Sequence, residues 1–265
     1  MPYTRTVQLH YTIHGTGEPL VLVHGYLSDS TYWRTIVPEL SKHYQVIAID
    51  LLGFGKSPKP ASADYSLDEH VTALAETIKQ VTNKPIILVG HSMGSLVSAR
   101  FAAQYPDAVA RLLLCNMPLF PDAVQAREVI KRTNPTYRLM LYSPFARILW
   151  PIVRCVWPAI RPLLRARRLV PGPPGAFSSH HTYASRMGSL KNTVEVANAM
   201  QLLQKLTQPT TLILGIFDRR VYKRTLDTTR LPSNISIDWV DTGHHTVHQL
   251  PSAVLDILIP PSRKS

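Results

Sequence analysis

Ile86-Ile87-Leu88-Val89-Gly90-His91-Ser92-Met93-Gly94-Ser95-Leu96 passes from an apolar run, through a glycine-flanked serine, into a helical stretch. Ile86–Val89 is continuously apolar, as suits a strand covered on both faces. The residues from Met93 to about Tyr105 suit a helix. Between them, Gly90-His91-Ser92-Met93-Gly94 matches G-x-S-x-G, a pattern that needs a strand before it and a helix after it. The turn must be so sharp that the serine takes strained backbone angles. Small residues at positions 90 and 94 let neighbouring backbone pass close by. The serine oxygen then stands at the carboxyl edge of a sheet, over a helix N-terminus.

Outward from this turn, strands and helices alternate. Val7–Leu9 and Tyr11–His14 read as a short hairpin, Leu20–His24 and Val46–Asp50 as buried strands, and Leu112–Cys115 as a further strand. Thr31–Leu40 reads as helical, and Leu67–Val81 carries Leu67, Val71, Leu74, Ile78 and Val81 at the 3–4 spacing of an amphipathic helix. After Val194 the rhythm returns: helix Val194–Leu206, strands Thr210–Leu214 and Ile235–Val240, helix Pro251–Leu258. Such alternation implies an α/β fold, a mostly parallel central sheet flanked by helices. The chain of 265 residues divides into one core, 1–117 and 194–265, and a helical insert, 118–193, placed after the sixth main strand.

A serine hydroxyl is a poor nucleophile without a base, and the base needs an orienting carboxylate. His244, in Gly243-His244-His245, follows the strand Ile235–Val240. Asp218, in Gly215-Ile216-Phe217-Asp218, follows the strand Thr210–Leu214. Ser92, Asp218 and His244 thus all fall beyond strand carboxyl ends, where an open α/β sheet places its ligand site. Second readings exist for each partner. His245 is an alternative base, and Asp122 an alternative acid. His91 reads as packing, His248 as surface and Asp241 as a loop residue. Asp50 reads as holding the Gly53–Gly55 turn, and Trp33 as a core or pocket-wall aromatic.

With these residues in place, the chain resembles a lidded α/β-hydrolase of the esterase and lipase type. The likeness covers roughly residues 8–120 and 194–260. It rests on His24-Gly25-Tyr26, the Asp50–Ser57 turn, the serine elbow, Gly215-x-x-Asp218-x-x-Val221, and Gly243-His244 with Pro251 downstream, in that order. Family members often carry an acidic residue shortly before that proline, where this chain has Gln249. The resemblance implies a fold of the α/β-hydrolase type, a helical lid at 118–193, and a Ser92–His244–Asp218 triad. It also implies an oxyanion hole from the backbone N–H groups of Tyr26 and Met93. The serine nucleophile points to acyl transfer, with hydrolysis of an ester bearing a hydrophobic acyl chain as the leading expectation. No cofactor and no metal are expected. A carbon–carbon bond hydrolase of diketone-like substrates and a non-catalytic ligand-binding relative are the alternatives.

Apolar residues make up 45% and charged residues 17%, which excludes wholesale disorder. Two cysteines exclude a disulfide scaffold, so Cys115 and Cys155 are expected as free thiols. No signal-peptide core and no apolar run of membrane-spanning length is evident, so a cytoplasmic location is expected. The net charge is +12, and 11 basic residues with no acidic one lie between Glu128 and Glu195; the rest carries 18 basic against 17 acidic residues. Ten of the 22 prolines fall within 118–193. Within 143–168, Arg147, Arg154, Arg161 and Arg168 stand seven apart, as do Trp150 and Trp157, and Pro144, Pro151 and Pro158. Seven residues is nearly two helical turns, so like residues share a face. This composition fits either an ordinary lid in kinked pieces or peripheral contact with an anionic membrane. No nucleic-acid recognition motif accompanies the charge.

Overall fold

Along the second strand, Leu20 and Leu22 enter one core cluster while Val21 and Val23 enter another. The same alternation separates Ile47 and Ile49 from Val46 and Ala48, and Leu112 and Leu114 from Leu113 and Cys115. A strand with period-two side chains that is apolar on both sides must be covered on both sides. The computed structural model, which describes residues 7–133, 180–221, 226 and 231–259 with single positions 148, 152, 155, 156 and 159, shows that arrangement. Burying each Val, Leu or Ile side chain among them is worth ~1.5–3 kcal/mol.

The strands are β1 (Tyr11–His14), β2 (Glu18–Val23), β3 (Tyr44–Ile49), β4 (Ile86–His91), β5 (Val109–Cys115), β6 (Thr210–Gly215) and β7 (Ile235–Val240). They form one sheet in the order β1-β3-β2-β4-β5-β6-β7. β1 runs antiparallel to β3, and the other described pairings are parallel. β2 therefore has β3 on one side and β4 on the other. The chain winds outward in both directions from it, which makes a switch point at the β2 and β4 carboxyl ends.

The helices are α1 (Val37–Leu40), α2 (Leu67–Val81), α3 (Met93–Gln104), α4 (Ala123–Thr133), α5 (Tyr183–Ser189), α6 (Ala199–Leu203), α7 (Thr246–Gln249) and α8 (Pro251–Leu258). α2 has the expected bounds. Ser66 Oγ accepts the Glu69 N–H at 3.4 Å, and Asp68 and Glu69 suit the positive end of the helix. α2 and α3 give Val71, Leu74, Leu96 and Val97 to one core cluster, and α8 gives Val254 and Leu258 to the other.

Three elements differ from expectation. Val7–Leu9 forms no strand. The Leu9 N–H donates to Thr77 Oγ1 at 2.9 Å and the His10 N–H to Ser57 Oγ at 2.8 Å, so side chains take the hydrogen bonds a hairpin would need. Val109–Cys115 is consequently the fifth strand in chain order, not the sixth. Thr31–Leu40 divides into a 3₁₀ segment, Ser30–Thr35, and α1, which starts anew with Pro38 in its first turn. Val194–Leu206 divides likewise: a π-helical turn spans Leu190–Val194, and Asn198 caps a fresh helix, α6, by accepting the Gln201 N–H at 3.0 Å.

Most of 134–179, including the Arg147, Arg154, Arg161 and Arg168 spacing, lies outside the described residues. Ile148, Ile152, Cys155, Val156 and Ala159 are helical and exposed. Cys115 is a buried free thiol and Cys155 an exposed one. Among the described residues, no helix is long and apolar enough to cross a membrane.

Candidate active site

Ser92 joins β4 to α3 with φ 54° and ψ −120°, a backbone region that a residue with a side chain rarely enters. Three features hold it there. The Ser92 N–H donates to the Cys115 carbonyl at 3.0 Å. A Cβ at Gly90 would lie 2.6 Å from the Gly94 carbonyl oxygen. One at Gly94 would overlap the Val23 and His24 carbonyl oxygens. The two glycines let the turn close on itself and let α3 lie against β2.

Ser92 Oγ–H donates to His244 Nε2 at 2.9 Å, and His244 Nδ1–H donates to Asp218 Oδ2 at 2.6 Å. A carboxylate only accepts, so this bond fixes the proton on Nδ1 and leaves Nε2 as the acceptor facing the serine. Asp218 follows β6 and His244 follows β7, as the sequence implies. Burial alone would raise the Asp218 carboxyl. His244, followed by Arg220, outweighs that and holds it down at about 2. Burial, then the Arg220 charge, lowers His244 below 6.5 against the opposing pull of Asp218, so the imidazole is neutral near pH 7.

The β2 loop brings Tyr26 to the serine. A Cβ on Gly25 would lie 3.0 Å from Ser92 Cβ. His24, fully buried, fixes this loop: Nε2 accepts the Leu51 N–H at 2.9 Å, and Nδ1–H donates to the Gly25 carbonyl at 2.8 Å. Met93 opens α3, so its N–H lies in the first turn, where a helix offers no acceptor of its own. Tyr26 and Ser92 line one cavity with His244 and Arg220, walled by Pro118, Phe120, Ile130, Leu190 and Val194.

Of the second readings, Asp122 is exposed and accepts the Gln125 N–H at 2.8 Å, away from His244. Asp241 is exposed. His245 makes no described bond to Ser92. Its ring stacks on His91 at 5.7 Å, and burial pushes it down to about 2. His248 differs from its surface reading: it sits half-buried, edge-on to Tyr32 at 4.5 Å, and burial lowers it to about 4. Asp50 accepts the Ser30 N–H at 2.6 Å and the Lys56 N–H at 2.8 Å, tying down the Gly53–Gly55 turn, and Trp33 is wholly in the core.

Three residues went unrecognised as parts of this arrangement. Asn116 follows β5 with φ 50°, which asparagine tolerates better than most residues. Its Nδ2 donates to Asp218 Oδ2 at 3.3 Å and to the Gly243 carbonyl at 3.1 Å, and its Oδ1 accepts the Thr246 N–H at 3.4 Å. His91 Nε2–H donates to the His244 carbonyl at 2.8 Å. Gln249 Oε1 accepts the Gly243 N–H at 2.7 Å, closing the histidine loop without the acidic side chain often found there. Among the described residues, no three His, Cys, Asp or Glu side chains group to hold a metal ion.

The alpha/beta hydrolase fold family matches residues 18–149. A probable lysophospholipase of Arabidopsis thaliana, BODYGUARD 1, is 37% identical over 123 residues, 43% of this chain and 26% of that protein. The (E)-2-((N-methylformamido)methylene)succinate hydrolase of Acinetobacter baylyi is 39% identical over 133 residues, 48% of this chain and 50% of that one. The match thus spans about a quarter of the first relative's length and half of the second's. Among solved structures, a thermophilic esterase from Thermogutta terrifontis is 28% identical with a TM-score of 0.66, covering 97% of this chain and 93% of that one.

Proposed function

Because this chain belongs to the α/β-hydrolase fold family, we propose that it is a serine hydrolase cleaving a carboxylic ester with a hydrophobic acyl group. The observation that carries this reading is the unbroken chain from Ser92 Oγ through His244 to Asp218 inside an apolar-walled cavity. Ser92 Oγ attacks the ester carbonyl carbon as its proton passes to His244 Nε2. The negative charge gathers on the carbonyl oxygen, facing the Tyr26 and Met93 N–H groups, each such donor being worth ~3–4 kcal/mol. His244 returns the proton to the departing alkoxide, leaving an acyl-serine. Water, deprotonated by the same imidazole, then frees the acid and restores Ser92.

Residues 118–193 act as a lid in this reading, since Pro118, Phe120, Ile130 and Leu190 wall the cavity. The exposed apolar positions Ile148, Ile152 and Val156 recur four apart in its basic part. That supports peripheral contact of 143–168 with an anionic membrane. A carboxylic ester series, run against vinylogous diketones, tests the chemistry. Rapid mixing with a p-nitrophenyl ester should release a burst of one nitrophenolate per chain that Ser92→Ala abolishes. Turnover of the diketones alone would replace the ester reading with carbon–carbon cleavage.

A further inference from the structure

Arg220 stands in the same cavity as Ser92 and His244, and it is the one side chain of fixed charge among the described residues that line it. Among the described residues its ion pair is with Asp218, whose Oδ1 lies 3.7 Å from Nη1, a separation longer than a hydrogen bond. Asp218 Oδ2 is already committed to His244, and the Asp218 Oδ1 hydrogen bond comes from the Arg220 backbone N–H at 3.0 Å instead. The guanidinium side chain is only 20% exposed. Among the described residues no side-chain hydrogen bond of Arg220 is seen, and the residue lines the cavity that holds Ser92. A planar fork of this kind matches a carboxylate or phosphate in two parallel hydrogen bonds.

The walls sharpen the point. Phe120, Ile130, Leu190 and Val194 are apolar and offer no anionic acceptor, so among the described lining residues the guanidinium has no carboxylate facing it across the cavity. A cation needed only to keep Asp218 ionised would be expected in hydrogen-bond contact with it. The Asn116 amide and the His244 ring already hold that carboxylate at closer range, 3.3 and 2.6 Å.

We propose that Arg220 is a specificity residue that receives an anionic oxygen group of the substrate, a carboxylate or a phosphate, close to the scissile ester. The proposal rests on the serine-hydrolase reading and narrows its substrate class to esters that also carry a negative charge.

Two matched pairs of esters test it and separate the source of the anion. The first pair places a carboxylate on the acyl side: p-nitrophenyl hemiglutarate against p-nitrophenyl pentanoate. The second places a phosphate on the alcohol side: butyrylglycerol phosphate against monobutyrylglycerol. In the unaltered protein, kcat/KM for the anionic member of one pair should exceed that of its neutral partner at least tenfold. Arg220→Gln should erase that ratio, and Arg220→Lys should keep part of it. Near-UV circular dichroism of both variants checks the fold, and the ratio in the unaltered protein stands even if Arg220→Gln fails to fold. A ratio near one for both pairs overturns the proposal. So does an equal fractional loss on charged and neutral esters in Arg220→Gln, because Arg220 would then act only through Asp218. Failure of the parent reading looks different: no member of either pair is turned over, and a fluorophosphonate leaves Ser92 unlabelled.

Discussion

Asn116 shows what a single residue outside the proposed triad does. It ties Asp218 to the Gly243 carbonyl and the Thr246 N–H, so it joins the acid loop to the base loop across the end of β5. Asn116→Ala takes the donor from the Gly243 carbonyl and the acceptor from the Thr246 N–H, leaves Asp218 Oδ2 with His244 alone, and places alanine at φ 50°. Stability should fall by about 1–3 kcal/mol in urea denaturation, with kcat falling as well. Asn116→Gly keeps the loss of contacts but relieves the backbone, so it should be the less destabilised of the two. Within the proposed triad, Ser92→Ala and His244→Ala should each cost ~10⁶-fold in kcat and together little more, because such residues act as a unit. Asp218→Asn should cost about 10⁴-fold, since the imidazole loses its orienting acceptor. A crippling His245→Ala with a mild His244→Ala would contradict the roles given to the two. That Ser92, Asp218 and His244 stand beyond strand ends, within reach of one another, was legible in the sequence because each follows a strand closely. Asn116, His91 and Arg220 were not. Asn116 and His91 act on partners 102 to 153 positions away, and Arg220 acts through the cavity it faces, relations that no local spacing encodes.

The strand–turn–helix unit of β4, Ser92 and α3 carries its own test. In an ordinary helix, replacing glycine by alanine stabilises by about 1 kcal/mol. Gly94 lies in the first turn of α3, but a Cβ there would meet the Val23 and His24 carbonyls of β2 and its loop. Gly94→Ala should therefore destabilise, by about 1–3 kcal/mol, as overpacking does elsewhere. A stabilised Gly94→Ala, read by thermal unfolding, would mean that α3 does not approach β2 this closely. Elements were legible where one period held for their whole length. α2 and α8 have their expected bounds because the apolar repeat runs unbroken. Where a cap or a proline interrupted the run, at Asn198 and Pro38, one expected helix became two pieces. The hairpin at Val7–Leu9 failed for a different reason: Thr77 and Ser57, far away in sequence, took its backbone donors.

At the scale of the whole molecule, burial places several histidines on the neutral side. His70 is lowered to about 3, His245 to about 2 and His248 to about 4, and His24, His91 and His244 are lowered also, burial being the first cause in each. The unfolded chain binds protons on these rings below about 6.5, and the folded chain does not. The stability they contribute is therefore complete above that pH and is lost as pH falls from about 6.5 towards the lowered values. Asp218, held at about 2, adds its own loss only below 3.8. Urea midpoints should be level from pH 8 to 7 and fall steadily from pH 6 to 4.5; a flat midpoint down to pH 5 would contradict neutral burial of these rings. The excess of positive charge carries a second expectation. Binding to anionic vesicles should exceed binding to neutral ones and weaken with salt, as ~1 kcal/mol per basic residue near the surface implies. Equal sedimentation with both lipids would leave residues 118–193 as a lid alone. Ser92 is proposed as a nucleophile activated by His244, and covalent capture reads that activation without a substrate. Incubated with a fluorophosphonate at pH 7.5 and digested, the protein should yield one phosphonylated peptide, modified at Ser92, with labelling lost in Ser92→Ala and greatly slowed in His244→Ala. An adduct on any other residue, or none on the folded protein, would contradict it.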